Sequence, residues 1–78
     1  MRIIKVVFLP TSVCTFFVRF DFLGDLVVSL DSSDAFIFID EETSEVVFQR
    51  VCNYMISLYG SPIYSEDYSV TLETLGGF

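Results

Sequence analysis

One segment of the chain, residues 40–59, has the periodicity of an amphipathic helix, and the remaining apolar segments are short or alternate as strands do. At 100° per residue its apolar side chains fill one broad arc. They are Val47, Phe48, Val51, Cys52, Tyr54, Met55, Leu58 and Tyr59. Asp40 or Thr43 is suited to cap its start, and Gly60 with Pro62 ends it. Because only one helix is available, we expect a sheet covered by that helix on one face.

The other apolar segments are typical of β-strands, since they are rich in β-branched and aromatic residues and are separated by turn residues. These segments are residues 2–9, 15–22, 26–30, 35–39 and 68–75. We therefore predict a single α+β domain spanning residues 1–78. Its core is an antiparallel meander sheet of four to five strands with one amphipathic helix packed on one face, in the order β-β-β-β-α-β.

The pairing of apolar side chains predicts the register of the second and third strands. If Leu23-Gly24-Asp25 is the loop between them, three apolar pairs share one face: Phe22/Leu26, Phe20/Val28 and Val18/Leu30. Four apolar residues are then left on the opposite face, namely Phe17, Val27, Phe36 and Phe38. Since one helix cannot cover both faces, we expect these four to form an apolar interface with a partner. The alternative is that the termini and the loop after the helix fold over this face.

The charges are divided along the chain. The first 19 residues hold three bases and no acid, whereas eight acids and no base lie between Arg19 and Arg50. The net charge of −7 repels phosphates, which argues against direct binding of nucleic acid. Seven acids in expected turns and at the helix start are candidates to contact a basic partner: Asp25, Asp31, Asp34, Asp40, Glu41, Glu42 and Glu45. In the predicted fold, Asp25 and the acids of the helix start lie at the same end of the sheet.

Solubility is a plainer role for the same acids. A small chain that is 53% hydrophobic needs charge to remain in solution. Turns and helix starts are also the places where carboxylates accept hydrogen bonds from backbone N–H groups. Both interpretations remain open from the sequence.

The sequence offers few of the groups that catalysis uses. It has no histidine, so neither a Ser-His-Asp nor a Cys-His arrangement is possible, and Cys14 and Cys52 have no evident base beside them. Zinc-ligand spacing, a calcium-loop pattern and a glycine-rich phosphate loop are all missing. We predict that the protein is not an enzyme and has no catalytic residues, metal or cofactor. Without a long apolar run or a signal-peptide cleavage site, we also predict no membrane association and a cytoplasmic location.

Small, acidic, histidine-free chains of this length resemble phage-encoded inhibitors of host defence nucleases. This resemblance of type implies action in the cytoplasm of the host cell, against a nucleic-acid-handling or defence protein whose basic surface the acids would occupy. The leading prediction is therefore a small acidic protein-binding module without catalytic activity. The alternative is a self-associating structural domain, a homodimer through the second sheet face, whose acids serve solubility.

Overall fold

The computed structural model describes residues 1–9, 11–60 and 67–75. Its elements are the strands β1 (Arg2–Phe8), β2 (Val13–Phe20) and β3 (Leu26–Ser29), a short 3₁₀ helix (Ser32–Asp34), the helix α1 (Glu41–Tyr59) and the strand β4 (Tyr68–Thr74). The predicted α+β class, the antiparallel sheet and the order of its elements are confirmed. The expected loop and tail, residues 61–66 and 76–78, lie outside the described residues.

The sheet has the strand order β3-β2-β1-β4, and all neighbours are antiparallel. The strand β1 pairs with β4 along its whole length, from Arg2/Thr74 to Phe8/Tyr68. It pairs with β2 only from Lys5/Phe16 to Phe8/Val13. β1 has neighbours on both edges, and its side chains are buried or half-buried on both faces, as its apolar residues on both alternations indicated.

The helix α1 packs on one face of this sheet. The Asp40 side chain caps it by accepting a hydrogen bond from the Glu42 backbone N–H at 3.2 Å. Val51 and Met55, on the predicted apolar arc, are fully buried at the centre of the core. The other buried members of that core are Ile4, Val6, Phe17, Phe38 and Tyr68. One-sided covering of the sheet by a single helix therefore follows from the pattern of the sequence.

A β-bulge in β2 changes which of its side chains face α1. Phe17 pairs with Val28 and Phe20 pairs with Leu26, and the register shifts between Phe17 and Arg19. The predicted register, in which Phe20 faced Val28 and Phe22 faced Leu26, is therefore wrong. Because a bulge inserts one extra residue, Phe17 and Phe20 both reach the helix side.

Residues 36–38 lie between β1 and β2 instead of beside β3. Beyond the Lys5/Phe16 pair, the Phe36 N–H donates to the Phe17 carbonyl at 2.9 Å. Arg2 and Phe38 exchange two backbone hydrogen bonds of 2.9 and 2.8 Å. The expected strand over 35–39 is thus reduced to an isolated bridge at Phe38. This insertion fills the space where β1 and β2 are no longer paired with each other.

The cap at Asp40 gives a prediction for the stability of the fold. Hydrogen bonds from the Thr43 side chain and the Glu42 backbone lower the pKa of Asp40, so its stabilising contribution is present at neutral pH and is lost as the pH falls through that lowered pKa. We expect Asp40→Ala to lower the melting temperature at neutral pH, and the difference from the wild type to shrink in acid. Thermal denaturation followed by circular dichroism measures this.

The control for this variant is Asp40→Asn, which keeps a capping oxygen but does not titrate. We expect Asp40→Asn to retain most of the stability that Asp40→Ala loses. Equal melting temperatures for the wild type and Asp40→Ala at neutral pH would contradict the role of the cap.

Candidate protein-binding surface

One end of the sheet exposes apolar and acidic side chains together. Because the strands are antiparallel, β1 and β3 begin at this end and β2 and β4 finish there. Phe22 and Leu23, in the β2–β3 loop, are 95% and 72% exposed, and Ile39, just before α1, is 85% exposed. We call this surface the acidic end; its residues are Phe22, Leu23, Asp25, Ile39, Asp40, Glu41, Glu42 and Glu45.

The loop that carries Phe22 and Leu23 is held in one shape by Asp21. The Asp21 carboxylate accepts hydrogen bonds from the N–H groups of Leu23 and Asp25, both at 2.9 Å. The Asp21 backbone also bonds to Asp25 and Gly24, and Gly24 adopts a φ of 83°, which glycine tolerates without strain. These bonds fix the backbone of the loop while leaving the two apolar side chains in solvent.

The start of α1 carries more acid than its neighbouring base neutralises. Arg2, at the start of β1, forms ion pairs with Glu41 and, at 3.6 Å, with Glu45. The ion pairs among the described residues do not include Glu42, which is exposed. Asp40 is exposed as well, although its oxygens accept the capping hydrogen bonds. This part of the acidic end therefore keeps a local excess of negative charge.

A pocket opens between the starts of β1 and α1. Its volume is about 240 Å³, and its lining includes Arg2, Phe38, Ile39 and Glu41. Because Ile39 and Glu41 both line it, apolar and acidic groups meet within one concave feature. A partner side chain could therefore contact both kinds of group at this point of the acidic end.

Asp25 lies at the same end of the sheet as predicted, but in a separate position from the helix-start acids. Its carboxylate is 3.5 Å from the Tyr54 hydroxyl. Tyr54 is 14 residues beyond Asp40, about 21 Å of helix rise. The predicted acids of this end thus form two groups and not one patch. A standard interface covers about 800 Å² per partner, roughly 30 Å across, so a single partner surface is large enough to meet both.

Asp31 and Asp34 have local roles after the end of β3. Asp31 accepts a hydrogen bond from the Ser33 N–H at 2.9 Å and caps the 3₁₀ helix, which lowers the pKa of its carboxyl. Asp34 accepts a hydrogen bond from the Ser29 hydroxyl at 2.8 Å. Both are exposed, and they follow the other end of β3, away from the acidic end. Of the seven predicted acids, these two are therefore the least suited to act together with the rest.

The predicted apolar interface of Phe17, Val27, Phe36 and Phe38 does not form on the second face. Phe17 and Phe38 are each 4% exposed, and their rings stack at 6.0 Å between centroids within the core. Their predicted position on the second face is wrong, because pairing with β1 sets their side: Phe17 follows the alternation of Thr15, which pairs with the buried Val6, and Phe38 pairs with Arg2 on that same alternation of β1. Phe36 packs its ring on Phe38 at 4.8 Å and stays 51% exposed, while Val27 pairs with Arg19.

A different set of apolar residues occupies the face opposite α1, which we call the open face. Successive side chains of a strand point to opposite faces, so Lys5 and Val7 point away from the side of the buried Ile4 and Val6. Their partners on β2, Phe16 and Cys14, lie on the same face as they do. The open face consists of Ile3, Val7, Cys14, Phe16 and Val27. An ion pair between Lys5 and Glu73 of 3.0 Å lies on the same face. The sequence did not predict Phe16 on this face, because Phe17 follows it directly and either ring is compatible with an apolar stripe.

The two thiols are free in the structure and are both half-buried. Burial raises the pKa of the Cys52 thiol, which favours its protonated, less nucleophilic form. Among the described residues, no group of three Cys, Asp or Glu side chains is arranged to hold a metal ion. In the described part of the chain, no helix has the length and apolar character needed to cross a bilayer.

Comparison with known proteins gives no relative from which a function could be transferred. No protein-family model, no curated protein and no solved structure matches the chain. Functional inference therefore depends on the surface itself.

Proposed function

We propose that the protein is a small, non-catalytic protein-binding module that attaches its acidic end to a basic surface of another protein. The observation that carries this proposal is the exposure of Phe22, Leu23 and Ile39 next to carboxylates at one end of the sheet. Apolar anchors that become buried supply most of the energy of an interface, and surrounding charges speed association and select the partner. The acidic end has both components, and Asp21 holds the loop in place before binding.

The proposed target is a nucleic-acid-handling or defence protein in the cytoplasm of a host cell. Such proteins bind phosphates through Lys and Arg, and the carboxylates of α1's first turns would take the place of phosphates there. The protein would then act as an inhibitor of the phage type, by occupying the basic surface. It would not bind nucleic acid itself, because its net charge is −7.

Capture followed by competition tests this function. The tagged protein is incubated with host lysate, and bound proteins are identified by mass spectrometry. We expect a basic protein that is released both by high salt and by an excess of duplex DNA or RNA. A captured partner that remains bound in the presence of excess nucleic acid would contradict the occupation of a nucleic-acid-binding surface.

A second candidate function is self-association through the open face. The observation in its favour is that the apolar side chains of Val7, Phe16 and Val27 lie on the face opposite α1 and are only half-buried there. Phe16→Asp would place a charge in such an interface, and light scattering after size exclusion would show a dimer converted to a monomer. A dimer that survives Phe16→Asp would exclude this interface.

A further inference from the structure

The outer edge of β4 has the features of a strand that pairs with another chain. β4 occupies one edge of the sheet and pairs with β1 over all seven of its residues without a bulge. Within the described residues, no strand pairs with its other edge. Exposed edges are usually protected by Pro, a bulge or charged side chains. Tyr68–Thr74 has no Pro, no Lys and no bulge, and its single charge, on Glu73, is paired with Lys5.

The backbone groups that face outward can be assigned from the bonds to β1. The Leu9 N–H donates to the Asp67 carbonyl and the Leu75 N–H donates to the Met1 carbonyl, each at 2.8 Å. Odd-numbered residues of this segment therefore direct their N–H and C=O groups toward β1. Because these directions alternate along a strand, the even-numbered residues of β4 direct theirs outward. They are Tyr68, Val70, Leu72 and Thr74.

We propose that a second copy of the chain binds this edge, with β4 of the two copies antiparallel about a two-fold axis at Thr71. This register pairs all seven residues of each strand. It places Val70 opposite the partner's Leu72 on the side of α1, and Ser69 opposite the partner's Glu73 on the open face. Shifting the axis to Val70 would instead bring Glu73 opposite the partner's Asp67, where like charges repel.

An apolar notch beside the same edge supports this contact. Cys52 and Ile56 of α1, together with Tyr68 and Val70 of β4, line a pocket of about 70 Å³, and Ile56 is 42% exposed. In the proposed dimer the two α1 helices lie on the same side of a continuous sheet, on either side of the axis. If the two α1 helices approach to the usual packing distance of about 8–10 Å between axes, the helix of the second copy covers the notch.

The charge of the chain gives this dimer a distinctive dependence on salt. Two copies of net charge −7 repel each other, so screening by salt should strengthen their association. Binding of the acidic end to a basic partner should have the opposite dependence. Glu73, the one acid within β4, is ion-paired with Lys5. The dimer does not depend on the proposed function, and the sign of the salt effect distinguishes the two interactions.

Substitution at Thr71 tests the proposal, because the axis brings Thr71 next to the partner's Thr71. We expect the wild type to dimerise in high salt, as measured by analytical ultracentrifugation, and Thr71→Glu to raise the dissociation constant by up to about fivefold. The monomer should tolerate the change, since Thr71 is exposed and pairs with Lys5. Thr11→Glu makes the same chemical change at an exposed turn and should leave the dimer intact.

A mixing experiment tests the position of the axis. Thr71→Lys places a second base opposite Lys5, so circular dichroism first checks that this variant is folded. The folded variant should also form a weaker dimer, whereas its mixture with Thr71→Glu should form a heterodimer through opposite charges. A wild type that stays monomeric in high salt would overturn the proposal. So would a dimer unaffected by Thr71→Glu, or a mixture that does not dimerise.

Discussion

Replacing Phe17 by alanine is expected to lower the free energy of unfolding by about 3–5 kcal/mol. The Phe17 ring is 4% exposed and contacts two other core rings, with centroids 5.3 Å from Phe20 and 6.0 Å from Phe38. Removing it leaves a cavity between α1 and the sheet that these neighbours fill only in part. Urea denaturation of the purified variant, followed by circular dichroism, measures the loss.

Phe16→Ala is the matched control, because it removes the same ring from the adjacent position. Phe16 lies on the open face and is half-buried, so its removal leaves no enclosed cavity and should cost clearly less. The comparison reports directly on the faces of β2, since Phe17 shares the side of Thr15, which pairs with the buried Val6. If Phe16→Ala were the more destabilising of the two, the assignment of faces would be wrong.

The second large effect is expected in binding. Phe22→Ala should weaken the affinity for the captured partner by about 30-fold, corresponding to about 2 kcal/mol for an anchoring residue. The free energy of unfolding should stay the same, because Phe22 is 95% exposed and contributes little to the core. Isothermal titration calorimetry with the purified partner measures the affinity, and urea denaturation measures the stability.

Leu30→Ala provides a control for this binding effect. Leu30 is 72% exposed, as is Leu23, but it follows the other end of β3. We expect Leu23→Ala to weaken binding and Leu30→Ala to leave it unchanged. If Phe22→Ala bound with wild-type affinity, the loop would not be part of the interface. Equal losses of affinity in Leu23→Ala and Leu30→Ala would indicate a non-specific apolar effect.

The sequence predicted the helix and the class of the fold because those features depend on repeated local patterns. The apolar arc of α1 recurs over 19 residues, and Asp40 and Gly60 mark its two limits. A single amphipathic helix among strands also leaves few alternatives to a two-layer α+β domain. Local capping chemistry and long-range packing agree in this part of the chain.

The register of β2 could not be predicted because its aromatic pattern is compatible with either face. Phe16 and Phe17 are adjacent, so an apolar stripe can be drawn through one or the other, and a bulge removes the alternation that would decide between them. Because the prediction paired Phe22 with Leu26, the exposure of Phe22 in the loop was not expected. Residues 36–38 were placed wrongly because a bridge between two diverging strands has no sequence signature.

The candidate surface was predicted only in part. Sequence placed Asp40, Glu41 and Glu42 at the start of a helix, and the structure places them there. The sequence could not show which carboxylates accept local hydrogen bonds, because these bonds depend on the geometry of the turns. Asp31 and Asp34 are two such carboxylates. The exposed apolar residues beside the acids could be identified only from the register of β2 and β3 in the structure.

The association rate with the captured partner, measured over a range of salt concentrations, tests whether the acidic end binds a basic surface. In the proposed function, the acidic end acts through charge at long range and through Phe22 and Leu23 on contact. The association rate constant should therefore fall steeply as salt rises, while Phe22→Ala should mainly speed dissociation. An association rate that is independent of salt, or that increases with it, would contradict binding of the acidic end to a basic surface.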